Sequence, residues 1–119
     1  MQREEYTVGS WCSLWFQCNR DKWNLRTKGG YRNLIEQHII PCIGEVELTQ
    51  LDEKMVTDFY EELRDLGLNN RSIWCVHLLL RRCMDEAAHD GLISYNPVRI
   101  CTVPEYGEHR PVRLRLGQI

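Results

Sequence analysis

The chain has 119 residues, enough for one domain with a modest core. Its hydrophobic fraction of 43% and charged fraction of 27% are typical of a soluble globular protein, and no apolar run is long enough to span a membrane. The net charge of −2 argues against a protein that binds any polyanion through charge alone. The N-terminus lacks the apolar stretch of a secretory signal, so we expect a cytoplasmic protein.

The six cysteines do not form a metal-binding or disulfide pattern. No two of them make a CxxC pair, and no two histidines have zinc-finger spacing. In a reducing cytoplasm such thiols serve as small buried hydrophobes or incidental surface groups. We therefore expect no metal site and no cofactor.

Two helices are predicted in the first third of the chain. The first follows Thr7, a good N-cap residue, and its core face is formed by Val8, Trp11, Trp15 and Cys18. After a connector, the second helix is expected to take Thr27 as its N-cap and to end at Pro41 and Gly44. Its amphipathic stripe consists of Tyr31, Leu34, Ile35, His38 and Ile39.

Two more helices follow an apolar connector that includes Ile43, Val46, Leu48 and Leu51. Asp52 is the expected N-cap of the third helix and Gly67 its left-handed end. Its buried stripe is predicted to be Val56, Phe59, Tyr60, Leu63 and Leu66. Asn69 or Asn70 caps the fourth helix, which ends at Gly91. Its inner face is predicted to be Ile73, Val76, His77, Leu80, Met84 and Ala87.

This order of elements predicts an all-α fold, a compact four-helix bundle with an extended C-terminal linker. We expect residues 1–6 to be an N-terminal extension, residues 7–101 to form the helical domain, and residues 102–119 to be a linker. The alternating VRLRL near the C-terminus favours a strand at the end of that linker.

Charge is distributed unevenly along the predicted helices. Residues 20–32 contain five basic residues and one acidic residue, a net charge of +4, and residues 68–84 contain three arginines and no acid. Residues 36–65 contain nine acidic and two basic residues, a net charge of −7. If the second and fourth helices share a face, that face is electropositive, which is typical of a domain that presents one side to nucleic acid. Solvated helix faces are the ordinary alternative.

Both basic helix starts carry groups that suit DNA. A helix that begins at Thr27 offers a hydroxyl and free backbone N–H groups of Lys28, Gly29 and Gly30 to a phosphate. Alternatively, the helix begins near Tyr31 and the glycines lie before it. At the fourth helix, Asn70 and Arg71 suit base edges. Trp74 lies beside them and is either exposed or partly buried in the core.

An ordered set of landmarks gives the chain a resemblance to a known family. HIIPCIG at residues 38–44 is followed by LTQL at residues 48–51, and GLISYNP at residues 91–97 follows the fourth helix. In this order and spacing, the region from residue 7 to about 104 resembles the core-binding, SAM-like domain of tyrosine recombinases. More narrowly, it resembles that of phage and conjugative-transposon integrases.

This resemblance implies a DNA-binding domain that forms half of a C-shaped clamp around the recombination core site. The second and fourth helices would face the major groove of double-stranded DNA and the flanking phosphates. The contacts implied by position are Arg26, Thr27, Lys28, Arg32, Asn70, Arg71, Ser72, Trp74, Cys75 and Arg81, with Arg82 as an alternative to Arg81. Lys28-Gly29-Gly30 and Asn69-Asn70-Arg71 depart from the Ser, Thr and Pro that the family often has at these helix starts. His77 lies on the apolar face and is expected in the core.

The resemblance also implies that catalysis belongs to a separate domain. Its catalytic Arg, Lys, His and nucleophilic Tyr are expected beyond Ile119, so we expect this chain to be a non-catalytic part of a DNA-cleaving and rejoining recombinase. The expected partners are DNA and other recombinase subunits, without a membrane or a small-molecule ligand. The alternative is a helical protein–protein interaction module that uses the acidic third helix or exposed aromatics such as Trp23 and Trp74.

Overall fold

The computed structural model describes residues 6–103, in which every regular element is helical. The α-helices are α1 (Val8–Asn19), α2 (Leu25–Leu34), α3 (Ile40–Ile43), α4 (Glu53–Asp65) and α5 (Asn70–His89). Short 3₁₀ turns occupy Arg20–Lys22, Leu48–Gln50 and Pro97–Arg99. A π-helical turn (Ile35–Ile39) joins α2 to α3 through right-handed helical backbone, so these segments form one continuous helix. The described chain is therefore an all-α bundle of four helical rods, as predicted.

The start of α1 is fixed by local and non-local hydrogen bonds. Thr7 and Ser10 form a capping box, which confirms Thr7 as the N-cap. The backbone N–H of Gly9 donates to the carbonyl of Gly44 at 2.9 Å. A Cβ on Gly9 would lie 3.0 Å from that carbonyl oxygen, so the glycine permits this close approach. The helix end at Gly44 thus anchors the first turn of α1.

The core face of α1 differs from the predicted one at three positions. Val8, Trp11 and Trp15 are buried as predicted, but Cys18 is exposed. Cys12 and Phe16 are buried instead. The buried residues of α1 follow rows in which the spacing is four residues, and Cys18, three residues after Trp15, lies outside these rows.

The N-cap of α2 is Asn24, and the prediction of Thr27 as the cap was wrong. The side chain of Asn24 accepts a hydrogen bond from the N–H of Thr27 at 2.8 Å, so Thr27 is the third residue of the helix. Asparagine caps a helix at least as well as threonine, and the earlier start adds a turn. The alternative start near Tyr31 was wrong for the same reason.

Pro41 lies inside the continuous helix, so the prediction that it ends the helix was also wrong. Proline lacks an N–H donor, and its ring crowds the carbonyl four residues earlier in an α-helix. The π-helical turn directly before it shifts the hydrogen-bonding register and lets the backbone continue. The helix ends at Gly44, as predicted.

The ends of α4 and α5 agree with the predictions. Asp52 caps α4, and Asn69 caps α5 by accepting from the N–H of Ser72 at 2.8 Å. Gly67 and Gly91 have φ of 105° and 82°, the left-handed conformation expected at helix ends. Leu66 is the exception in the buried stripe of α4. It occupies the C-cap, where the helix has ended, and is 65% exposed.

The core lies where α1, α4 and α5 meet the continuous helix. The predicted inner face of α5 is buried throughout, and the α4 stripe is buried from Val56 to Leu63. The indole N–H of Trp11 donates to the carbonyl of Cys83 at 2.7 Å and links α1 to α5. In the connector, Ile43, Leu48 and Leu51 are buried as predicted, and Val46 is half-buried.

The segment after α5 is tied back to the bundle. Arg99 forms a two-pronged ion pair with Asp85 on α5, with distances of 2.8 and 2.7 Å. Asn96 donates to the same carboxylate at 2.7 Å, and the N–H of Thr102 donates to the hydroxyl of Thr57 on α4 at 3.0 Å. Most of the predicted linker, including its strand, and the extension before Tyr6 lie outside the described residues. Within residues 6–103, no helix is long and apolar enough to cross a membrane.

Candidate nucleic-acid interface

A surface groove lies between α2 and α5 and brings the two predicted DNA-binding segments together. It has a volume of about 510 Å³ and is partly open to solvent. Its walls are formed by Thr27, Gly30, Tyr31 and Leu34 of α2 and by Cys75, Leu78, Leu79, Arg81 and Arg82 of α5. Among these lining residues two are arginines and none is acidic. We refer to it as the α2–α5 groove.

A direct contact holds the two walls of the groove together. The guanidinium of Arg82 donates to the Tyr31 hydroxyl at 3.1 Å. The same guanidinium lies 5.8 Å from the centre of the Trp15 ring, within the range of a cation–π contact. Arg82 is therefore held at the groove by two aromatic residues and remains exposed.

An aromatic cluster beneath α2 fixes the orientation of that helix. Trp23 packs edge-on against Tyr31 with ring centres 4.8 Å apart, and it also contacts Trp15 and Phe16. Contacts of this kind add to the burial energy of large rings. Because Trp23 is half-buried in this cluster, it is not the exposed aromatic anchor that an interaction module would require.

The predicted contact residues of α2 lie on different sides of the helix. Thr27 lines the groove, Arg26 is exposed, and Lys28 is half-buried outside the groove lining. Arg32 points toward α1, where its guanidinium lies 5.6 Å from the centre of the Phe16 ring and lines a separate cavity with Glu36. The structure thus brings Thr27 into the α2–α5 groove but does not bring Arg32 there.

The earlier start of α2 changes the phosphate site expected at Thr27 to Gly30. The N–H of Thr27 is bonded to the Asn24 side chain, and the N–H of Lys28 donates to the Asn24 carbonyl at 2.9 Å. Gly29 and Gly30 lie within the helix, so these N–H groups are not free for a phosphate. What remains is an open surface, because a Cβ on either glycine would meet no atom within 4 Å.

On α5, four exposed residues form one line along the helix: Arg71, Cys75, Leu78 and Arg82. They recur at i, i+4, i+7 and i+11, which places them on one face. Arg81, a predicted contact, is half-buried and lines the groove beside them. Leu78 is not among the contacts predicted from the sequence, although its spacing from Arg71 and Cys75 places it on the same face of the helix.

The other predicted contacts of α5 are less open. Asn70 and Ser72 are half-buried, and the N–H of Ser72 is capped by Asn69. Trp74 is half-buried with its ring centre 5.1 Å from that of His77, which agrees with the partly buried alternative. These three residues flank the exposed line of α5 and lie outside the groove lining.

His77 is a core residue, as predicted. It is 5% exposed, and its Nδ1 is hydrogen-bonded to the hydroxyl of the fully buried Tyr60 at 3.0 Å. Burial lowers the pKa of His77 to about 4, and the nearby positive charge of Arg81 contributes to that lowering. The neutral ring therefore links α4 to α5 near neutral pH.

The acidic side chains of α4 lie away from the groove. Asp58, Glu61, Glu62 and Asp65 are exposed, and none of them lines the α2–α5 groove. Asp58 pairs with Lys54 at 3.0 Å within the helix itself. Among residues 6–103, no group of three His, Cys, Asp or Glu side chains is arranged to hold a metal ion.

Comparisons with known proteins agree with this architecture. Residues 7–64 match the family described as phage integrase, N-terminal SAM-like domain. An integrase of Streptomyces ambofaciens is 28% identical over 106 residues, which cover 89% of this chain. That alignment covers 27% of the integrase, so the chain spans about a quarter of the length of this relative.

Two solved structures have the same fold. A phage integrase SAM-like domain from Moorella thermoacetica superposes with a TM-score of 0.70 at 26% identity, covering 92% of this chain and 96% of that one. An integrase-like domain from Bacillus cereus superposes with a TM-score of 0.79 at 23% identity, covering 88% and 89%. The family match, the similar integrase and these folds agree with one another. The chain is therefore similar to phage integrase N-terminal SAM-like domains in both sequence and fold.

Proposed function

We propose that this chain is a non-catalytic DNA-binding domain of a site-specific tyrosine recombinase. In the parent integrase it grips duplex DNA at the core recombination site as one half of a clamp, and a separate domain supplies the chemistry of cleavage and rejoining. Other recombinase subunits join it on the same DNA during integration or excision. The proposal assigns the grip to the side of the bundle that contains the α2–α5 groove.

The observation that carries the proposal is the pairing of α2 and α5 around this groove. Both segments are positively charged in the sequence. The groove lining contains arginine and no carboxylate. Phosphates attract such a surface without sequence specificity, and exposed side chains on a helix can reach base edges in the major groove. Arg71 and Arg82 occupy the two ends of the exposed line of α5.

The acidic helix supports the same orientation. Its exposed carboxylates would repel phosphate, so the DNA-facing side is the one that they do not line. A net charge of −2 is therefore compatible with a local basic surface. Binding of this kind is weak for an isolated domain, with a Kd of about 10⁻⁴ to 10⁻⁶ M for mainly non-specific contacts at physiological salt.

The experiment is a titration of fluorescent duplex DNA of about 20 base pairs, two helical turns, at several salt concentrations. We expect log Kd to change linearly with log salt, because each phosphate contact releases a counterion. Arg71→Glu and Arg26→Glu replace exposed cations and should each weaken binding at least tenfold at low salt, with smaller salt slopes.

The matched control is Arg64→Glu, which makes the same change of charge at an exposed position of α4. It should lower affinity only slightly through the net charge. If Arg64→Glu weakens binding as much as Arg71→Glu does, the chain responds to total charge and the proposed face is wrong. Thermal unfolding of each variant verifies that the fold is retained.

A further inference from the structure

We infer that Cys75 and Leu78 read the 5-methyl groups of thymine in the major groove, so that α5 favours A·T base pairs at the positions it faces. This inference rests on the proposed function and deepens it, because it names the chemical feature of DNA that the middle of α5 recognises. It requires that the face be used for DNA, and it adds that part of the contact is apolar.

The first argument is the order of side chains along the exposed line of α5. The two ends are cationic, at Arg71 and Arg82, and the two middle positions, Cys75 and Leu78, are apolar. All four are exposed, and Leu78 is 37% exposed despite its size. Arginines at both ends suit the phosphates that flank a groove, which leaves the middle positions over the base edges.

The second argument concerns what an apolar side chain can contact there. The major-groove edges of guanine, cytosine and adenine present hydrogen-bond donors and acceptors, whereas thymine also presents a methyl group. An apolar side chain placed over a polar edge would leave that edge without a hydrogen-bond partner. Contact with thymine methyl groups is the arrangement that avoids this cost.

The third argument is the shape of the surface around these two residues. Cys75 and Leu78 form part of one wall of the α2–α5 groove, and Gly30 lies in the opposite wall without a side chain. The half-buried Leu34 adds further apolar surface to the lining. An apolar recess with arginine at its margin suits DNA, because the recess can hold a thymine methyl group while the arginine pairs with a phosphate.

The test uses two duplexes of about 20 base pairs with alternating A and T, one of which has every thymine replaced by deoxyuridine. Deoxyuridine removes only the 5-methyl group and keeps the hydrogen-bonding edge. The complete 119-residue chain should bind the thymine duplex about fourfold more tightly, as expected for burying one methyl group. Leu78→Ala and Cys75→Ser should each lower that ratio, and the double variant should bring it close to one.

The matched control is Met55→Ala. Met55 is also 37% exposed and lies on the acidic helix α4, so its truncation should leave the fourfold ratio unchanged. Comparing ratios between variants cancels the effect of deoxyuridine on the stiffness of the duplex, because every variant encounters the same pair of duplexes.

The outcomes separate this inference from the proposed function. Equal binding of both duplexes by the unmodified chain overturns thymine reading and leaves DNA binding intact. A preference that is unchanged in the double variant also overturns it, because DNA shape would then be the feature recognised. If neither duplex binds at low salt, the proposed function fails and the inference fails with it.

Discussion

At the scale of single residues, Gly29 and Gly30 lower the stability of α2, and the packing of the fold gives no reason for them. Both lie within α2, where glycine costs up to about 1 kcal/mol relative to alanine. Neither contacts a neighbour that would exclude a side chain, and neither has positive φ. The packing of the bundle therefore does not require them. A binding partner that approaches the backbone closely gives a reason for Gly30, which lines the groove.

Alanine at these two positions should separate stability from binding. We expect Gly29→Ala and Gly30→Ala each to raise the free energy of unfolding by about 0.5–1 kcal/mol, because alanine restricts the unfolded chain and suits the helix. Only Gly30→Ala should weaken DNA binding, since its methyl group enters the groove. Denaturant unfolding and DNA titration measure the two effects. Equal affinities for the two variants would contradict a close approach at Gly30.

His77 should make stability depend on pH. Its pKa is about 4 in the folded chain and 6.5 in a model compound, so below pH 6.5 the unfolded chain binds a proton that the folded chain does not. Stability is then fully present above pH 6.5 and falls as the pH decreases toward 4, by up to about 1.4 kcal/mol per pH unit. Unfolding of the wild type and of His77→Gln across this range measures the difference in slope.

The slope should be shallower in His77→Gln, because the remaining histidines contribute equally to both proteins. An NMR titration of the His77 ring provides an independent measurement in the folded chain. A midpoint near 6.5, or equal slopes in the two proteins, would show that the Tyr60–His77 pair does not keep the ring neutral.

At the scale of elements, capping and glycine preferences predicted those helix ends that are fixed by a single nearby residue. Asp52, Asn69, Gly67 and Gly91 act through their own side chain or backbone conformation, so their roles follow from sequence. Asn24 lies three positions before Thr27, in the predicted connector, and its role as the cap was not predicted from the sequence.

The course of the chain past Pro41 could not be predicted from sequence in the same way. A proline after a helical stripe ends a helix unless the hydrogen-bonding register changes. The π-helical turn that makes this change is stabilised by burial of Ile35 and Ile39 in the tertiary core. The groove itself is also a tertiary feature, because charge patterns identify two basic segments without showing that their helices are neighbours.

The Asp85–Arg99 pair should hold the segment that leaves the bundle. Asp85→Ala removes the acceptor of both Arg99 and Asn96. The amides of Val98, Arg99 and Thr102 should therefore exchange with solvent faster than in the unmodified chain, whereas exchange in the α5 core should change less. The pair is partly exposed, so the change in global stability should stay below about 1 kcal/mol. Hydrogen-exchange NMR resolves the local effect.

Asp58→Ala is the control for that measurement. It removes the other ion pair found in residues 6–103, the exposed Lys54–Asp58 pair of α4, and should leave exchange after α5 unchanged. If Asp85→Ala has no more effect on Val98 to Thr102 than Asp58→Ala has, the ion pair does not hold this segment.

At the scale of the whole molecule, the exposed carboxylates of α4 and the arginine-lined α2–α5 groove occupy different parts of the surface. α4 supplies buried apolar side chains to the core and exposed carboxylates to solvent, and it positions α5 through the Tyr60–His77 hydrogen bond. The Arg82–Tyr31 contact joins α5 to α2. On this account α4 is a scaffold, and the binding surface belongs to α2 and α5.

The most direct test of this account is an NMR titration of the ¹⁵N-labelled chain with duplex DNA at low salt. The account predicts chemical-shift changes on α2 and along Arg71, Cys75, Leu78 and Arg82 of α5, with α4 unchanged at its exposed positions. The same shifts should reverse as salt is added. Changes centred on Asp58, Glu61 and Asp65 of α4 would contradict the account.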